Sequence, residues 1–179
     1  MNSLNDQNEP LKKIGNFIAK HLNLFENILA IITIAAVLLK MFTALKTGFV
    51  ITLSLTTLAT LYFFRAYAVH DDEHAGGMEV FIDKLASFAG SVAIIGIMFR
   101  LEHWPGYEIM LQLGGITLLI VLAAIAILKS KKPQLKIFNR RLVIRIIVLL
   151  FLAAALYSTP KETLRKMRVD KEVPVEIIK

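Results

Sequence analysis

The sequence predicts an all-α, multi-pass integral membrane protein with two tandem transmembrane hairpins and a fifth, short transmembrane segment. Of its 179 residues, 56% are hydrophobic and 20% are charged, whereas soluble domains are usually about 45–50% apolar and about 25% charged. Five apolar stretches approach the ~20 residues that a helix needs to cross a bilayer. Together they use more than half of the chain, and what remains is too short for a soluble catalytic domain.

The net charge of +7 does not indicate a nucleic-acid-binding protein. The basic residues lie in short segments between apolar stretches, where lipid phosphates and membrane topology account for them. We therefore expect membrane lipids, and no nucleic acid, among the partners. The chain has no cysteine, which excludes disulfides and thiolate metal sites. It also lacks a phosphate-binding loop and a nucleophile–base pair, so we expect a non-enzymatic protein with no cofactor.

The chain starts with a polar stretch followed by an amphipathic segment. From Leu11 onward apolar residues recur at helical spacing, and lysines occupy the other face. This pattern fits a helix lying on an anionic membrane surface and, equally well, a plain extension of the first transmembrane helix. Both arrangements place the N-terminus in the cytoplasm. The start has none of the features of a cleaved signal peptide.

Two pairs of apolar segments follow, at residues 27–45 and 48–64 and at residues 85–99 and 109–128. Each pair is joined by a short turn, which predicts antiparallel helical hairpins. The two pairs align when the cation near the end of each first helix is matched, which indicates duplication.

A basic loop and a last apolar segment of residues 142–158 complete the membrane part. The loop carries the densest positive charge in the chain and is predicted to be cytoplasmic. The tail is also basic, so a full fifth crossing would place positive charge outside. We expect five crossings, with four crossings and a re-entrant or interfacial last segment as the alternative. With five crossings, Arg145 would extend its side chain to the cytoplasmic interface.

The predicted organisation has seven parts. They are a polar start and interfacial helix (1–22), hairpin 1 (23–69), an acidic His-containing loop (70–83), hairpin 2 (84–128), the basic cytoplasmic loop (129–141), transmembrane segment 5 (142–158) and the C-terminal tail (159–179).

The turn of the second hairpin concentrates polar and aromatic chemistry. Its distinctive residues are Arg100, Glu102, His103, Trp104, Pro105 and Gly106. Proline ends a helix and glycine permits a tight turn, which favours a hairpin tip whose depth is fixed by an interfacial arginine and tryptophan. The alternative is a proton or ion site built on Arg100, Glu102 and His103.

Three other patterns carry weaker signals. His70 and His74 have a spacing that can hold a divalent ion, but a solvated acidic loop is the better interpretation, and we predict no metal site. Small residues that permit close helix contact are Ala86, Gly90, Gly114 and Gly115. Branched residues that alternate in the tail, and that favour its binding to a partner, are Val169, Val173, Val175 and Ile177.

The second hairpin also contains a recognisable set of residues: Phe99, Arg100, His103, Trp104, Pro105, Gly106, Met110 and Leu111. On these residues, the chain resembles the transmembrane hairpin of the gliding-motility protein GldL and its relatives in Bacteroidota, over about residues 88–120. The resemblance implies a motor stator with a proton-carrying carboxylate in the second helix. Here the matching helix has no Asp or Glu. Thr117 cannot alternate between charged and neutral forms, which argues against a motor subunit.

The sequence therefore predicts a non-enzymatic accessory or scaffold subunit of a larger envelope complex in the bacterial inner membrane. An energy-transducing assembly such as a motor, stator or secretion machine is the class that the resemblance implies. Other inner-membrane subunits are the expected partners, and a second copy of this chain is a further candidate. The alternative is a proton- or ion-conducting or small transporter subunit that uses Arg100, Glu102 and His103.

Overall fold

The computed structural model describes residues 3–42, 47–69, 76–131 and 140–159, and within these ranges the regular structure is entirely helical. The helices are α1 (Ser3–Phe42), α2 (Gly48–Arg65), α3 (Gly77–Leu101), α4 (Tyr107–Lys131) and α5 (Arg140–Ser158). Each of the five contains a segment long and apolar enough to cross a membrane. The predicted multi-pass, all-α class is confirmed.

Helix α1 is a single continuous helix. At 1.5 Å per residue its 40 residues extend about 60 Å, twice the thickness of the hydrocarbon layer. The amphipathic segment at the start of the chain was expected to be either an interfacial helix or an extension of the first crossing. It forms one continuous helix with that crossing. It packs against the end of α2: the Asn16 Oδ1 accepts a hydrogen bond from the Val69 N–H at 2.7 Å, and a Cβ on Gly15 would lie 2.6 Å from the Ala68 nitrogen.

Helices α1 and α2 form an antiparallel hairpin, and its polar contacts run in opposite order along the two helices. The Thr47 hydroxyl donates to the Ala36 carbonyl at 3.1 Å. Further along, the hydroxyls of Thr33 and Ser54 lie 2.9 Å apart. These contacts satisfy hydroxyls that lipid could not satisfy.

Helix α3 is the centre of the bundle and packs against α2, α4 and α5. Its apolar span is 61% buried, compared with 28% or less for the other four helices. In contrast to α3, helices α4 and α5 have an exposed outer face. Large apolar side chains there, such as Ile109 and Phe151, are about 70% exposed. Lipid is the solvent that suits such a surface.

Two boundaries differ from the sequence prediction. Helix α3 starts at Gly77, within the segment expected to be loop, because Glu79 and Asp83 are buried against the bundle instead of being solvated. The first crossing was expected to begin after Glu26, but Glu26 lies well inside α1 and contacts two other helices. In both places a carboxylate was interpreted as a segment boundary although a partner holds it between helices.

Candidate functional site

The turn between α3 and α4, here called the hairpin tip (residues 100–106), has a defined backbone geometry. The Trp104 N–H donates to the Phe99 carbonyl at 2.8 Å, and the His103 N–H donates to the Arg100 carbonyl at 3.3 Å. His103 has a φ of +58°. This is the Schellman arrangement that ends many helices, with His103 in the left-handed position where glycine is usual.

Apolar contact completes the helix end. The rings of Phe99 and Trp104 meet edge to face with centroids 5.3 Å apart, the contact that commonly accompanies this motif. Pro105 follows at once, and Gly106 has a φ of +87°. The turn therefore needs a residue without a Cβ at position 106 for its backbone shape, as the sequence indicated.

Arg100 is buried, and its guanidinium binds the end of another helix. Its Nε donates to the Leu156 carbonyl at 3.2 Å, and its Nη2 donates to the Thr159 carbonyl. The last carbonyls of a helix have no partner within it, and a cation near them is favourable. The Tyr107 ring lies 4.4 Å from the Arg100 Cζ. Arg100 therefore joins α3 to the C-terminal end of α5.

The three residues of the candidate ion site have different surroundings. The Glu102 carboxylate lies beside the start of α2, 2.7 Å from where a Cβ on Gly48 would be. The His103 side chain is exposed. Arg100 is directed to α5.

The small residues singled out in the sequence have different environments. Ala86 is buried. A Cβ on Gly90 would lie 2.7 Å from the Tyr62 ring, and one on Gly114 would lie 2.7 Å from the Ala93 nitrogen. A Cβ on Gly115 would meet nothing within 4 Å. The close approach of α3 to α4 therefore uses Gly114. It also uses Gly96, which the sequence analysis did not single out and where an added Cβ would lie 2.9 Å from the Leu111 nitrogen.

A second polar site, which the sequence analysis missed, joins three helices around Glu26. The Tyr62 hydroxyl of α2 donates to the Glu26 Oε1 at 2.6 Å. From α5, the Arg145 Nε donates to the Glu26 Oε2 at 2.5 Å, and the Arg145 Nη2 donates to the Asn23 side chain. Arg145 was expected to extend to the cytoplasmic interface; the structure shows its guanidinium paired with the Glu26 carboxylate. The sequence signal for this pair was an anion, Glu26, just before the first apolar stretch and a cation, Arg145, inside the last one.

A third polar site joins α2 to α3. The Arg65 Nη2 lies 3.0 Å from the Asp83 Oδ1, and its Nη1 donates to the Ser87 hydroxyl at 2.5 Å. Asp83 is fully buried. An ionised carboxylate without its cation would be strongly unfavourable there, so this contact fixes α2 against α3.

Helix α4 carries no carboxylate between residues 109 and 128, unlike the helices that supply Glu26 and Asp83. The Thr117 hydroxyl donates to the Leu113 carbonyl of its own helix at 2.7 Å. Gln112 donates to the Tyr157 hydroxyl at 2.9 Å, a further contact with α5. Both of these polar side chains therefore have a hydrogen-bond partner in the described structure.

Two predicted groups lie outside the described residues: the pair His70 and His74, and the tail residues Val169, Val173, Val175 and Ile177. Within the described part of the chain, no group of three or more His, Asp or Glu side chains could hold a metal ion.

Comparison with known proteins bears on the second hairpin. No curated protein and no solved structure matches the chain. One family model matches part of the chain. The matched part is about three tenths of the chain and is longer than residues 88–120, over which the resemblance was expected. From the first third of α3, through the hairpin tip and α4, residues 85–138 match the family model of the GldL N-terminal domain.

Proposed function

We propose that this protein is a non-enzymatic accessory or scaffold subunit of a larger complex in the bacterial inner membrane. The observation that carries the proposal is the match of residues 85–138 to the GldL N-terminal domain. In the described part of this chain, the matching hairpin packs against α2 on one side and against α5 on another. The proposed assembly is of the energy-transducing class, such as a motor, stator or secretion machine.

The role is structural, and the chain is not the proton-carrying subunit of that assembly. A proton carrier in the membrane must alternate between charged and neutral forms. Helix α4 has no carboxylate between residues 109 and 128, and the Thr117 hydroxyl bonds its own helix. These facts support a subunit that packs around, positions or regulates the energy-converting part.

The lipid-facing surface offers the contacts for neighbouring subunits. On α4 an exposed row of branched side chains runs along one face and comprises Ile109, Leu113, Ile116, Ile120 and Ile127. The occupants that we propose for this surface are membrane lipids and helices of other inner-membrane subunits, with a second copy of this chain as a further candidate. Val169, Val173, Val175 and Ile177 of the tail would bind a partner by adding to its sheet edge.

The topology that we propose places the N-terminus and the basic loop in the cytoplasm and both hairpin turns outside. Positive charge favours the cytoplasmic side for the loop of residues 129–141. Arg100 near the end of α3 contacts the carbonyls of Leu156 and Thr159 at the end of α5. The tail therefore begins on the same face as the hairpin tip, which we assign to the periplasm.

Conduction of ions or protons through Arg100, Glu102 and His103 is the competing function. The test is reconstitution of the purified protein in liposomes with a pH gradient and a potassium diffusion potential. The scaffold proposal predicts the dye response of empty vesicles. Proton flux above that background, abolished by Arg100→Leu or His103→Ala, would establish conduction and contradict the proposal.

A further inference from the structure

The charge of the C-terminal tail and the observed direction of α5 favour opposite sides of the membrane for the tail. The span of α5 is short and contains Arg145, and the tail that follows carries five basic residues between positions 159 and 171: Lys161, Arg165, Lys166, Arg168 and Lys171. The positive-inside rule favours a cytoplasmic position for such a tail. Nevertheless α5 runs parallel to α3 and ends beside it. Specific contacts must therefore offset the charge bias.

The first such contact is at the outer end of α5. Arg100 is buried and donates two hydrogen bonds to backbone carbonyls of Leu156 and Thr159. These are carbonyls that the helix itself leaves without partners and that hydrocarbon could not satisfy. The outer end of α5 is thus stable at this depth when the guanidinium of α3 is present.

The second contact is at the inner end. Arg145 lies five residues after Arg140, the first residue of α5, which places it about 7.5 Å along the helix. At this depth its charge is paired with Glu26 of α1 at 2.5 Å. The pair is mostly enclosed, because the Arg145 side chain is 15% exposed and the Glu26 side chain 24%. An unpaired guanidinium here would favour withdrawal of α5 towards the cytoplasmic interface.

We propose that these two arginine contacts set the transmembrane orientation of α5 and thereby decide on which side of the membrane the C-terminal tail lies. With both contacts present, α5 spans and the tail is on the side of the hairpin tip. Without the Glu26 charge, α5 withdraws to the interface and the tail stays on the side of the basic loop. The protein thus has two topologies, and the intact contacts select one of them.

The absence of cysteine from the chain makes this directly measurable. Lys171→Cys supplies a single reporter in the tail, and a membrane-impermeant maleimide reports its side on intact cells and on inverted vesicles. Lys131→Cys, in separate molecules, marks the cytoplasmic side. In the otherwise unchanged protein, we expect the tail reporter to be labelled from outside.

The decisive variant is Glu26→Gln. It removes the negative charge but keeps an oxygen that can accept the Tyr62 hydrogen bond. We expect the ratio of external to internal labelling to fall by about tenfold or more, because loss of one partner leaves an enclosed charge unpaired. Glu26→Gln combined with Arg145→Leu removes the unpaired charge as well, and we expect it to restore external labelling.

The matched control is Asp83→Asn, which breaks the comparable ion pair between α2 and α3. External labelling should persist in that variant. The proposal is contradicted if Glu26→Gln leaves the ratio unchanged, if the double variant does not restore it, or if Asp83→Asn lowers it equally. Arg100→Leu tests the outer contact and should lower the ratio independently of Glu26.

Discussion

The ring of Tyr62 lies directly against Gly90, so that a Cβ built on residue 90 would be 2.7 Å from the Tyr62 Cδ1. This contact lets an α2 side chain pass across α3 and place its hydroxyl on Glu26 of α1. Residue 90 must therefore lack a side chain if the Tyr62 ring is to pack against α3 and reach Glu26.

Gly90→Ala should destabilise the folded protein by about 1–3 kcal/mol, because the added methyl group overpacks the site against an aromatic ring. The measurement is the unfolding midpoint in detergent. The control is Gly115→Ala, since a Cβ at residue 115 meets nothing within 4 Å and should leave the midpoint unchanged or slightly higher. Equal losses in the two variants would show that the Tyr62 contact is not the cause.

The stability of the hairpin tip should depend more on its backbone conformation than on the imidazole of His103. His103 has a φ of +58°, so His103→Gly should keep or raise stability, whereas His103→Val should cost about 1–2 kcal/mol. Gly106→Val, at a φ of +87°, should damage insertion or assembly more than His103→Ala does. Membrane-inserted protein and its unfolding midpoint are the readouts. Normal protein levels with complete loss of function in His103→Gly would instead favour a chemical role for the imidazole.

The ion pair of Arg65 with Asp83 should stabilise the folded protein only when both residues are present. Arg65→Leu leaves a fully buried carboxylate without its cation and should destabilise the protein by about 3–5 kcal/mol. Replacing both residues with leucine should recover most of that loss, because well-packed apolar residues can substitute for a buried ion pair. Unfolding midpoints of the two single variants and the double variant form the cycle. An additive loss in the double variant would contradict the pairwise account.

The helices and the second turn could be predicted because their signals are local. Apolar length predicts each span, and the sequence from Trp104 to Gly106 predicts where α3 must stop and the chain must turn. The left-handed backbone at His103 was not predictable in the same way, because histidine rarely occupies that position.

The polar contacts between helices were not predictable from spacing. Glu26 and Arg145 are 119 residues apart and meet only because α1 and α5 approach each other in the bundle. From the sequence, Glu26 was expected to lie outside the first span and Arg145 to extend to the interface, because each charge was considered alone. Likewise Asp83 was interpreted as loop because its partner Arg65 belongs to the preceding helix. Long-range pairing of charges is a property of tertiary packing that a local pattern does not contain.

The claim that this chain works as a subunit of a larger assembly is tested most directly by the composition of its native particle. The tagged chain is expressed from its own locus, extracted with its surrounding lipid in polymer nanodiscs, and weighed by native mass spectrometry. We expect the particle to contain, besides the 20.1 kDa chain, a second polypeptide at a fixed ratio that Gly90→Ala or Gly106→Val lowers. A particle containing one chain and lipid alone, isolated from cells in which the protein is fully functional, would contradict it.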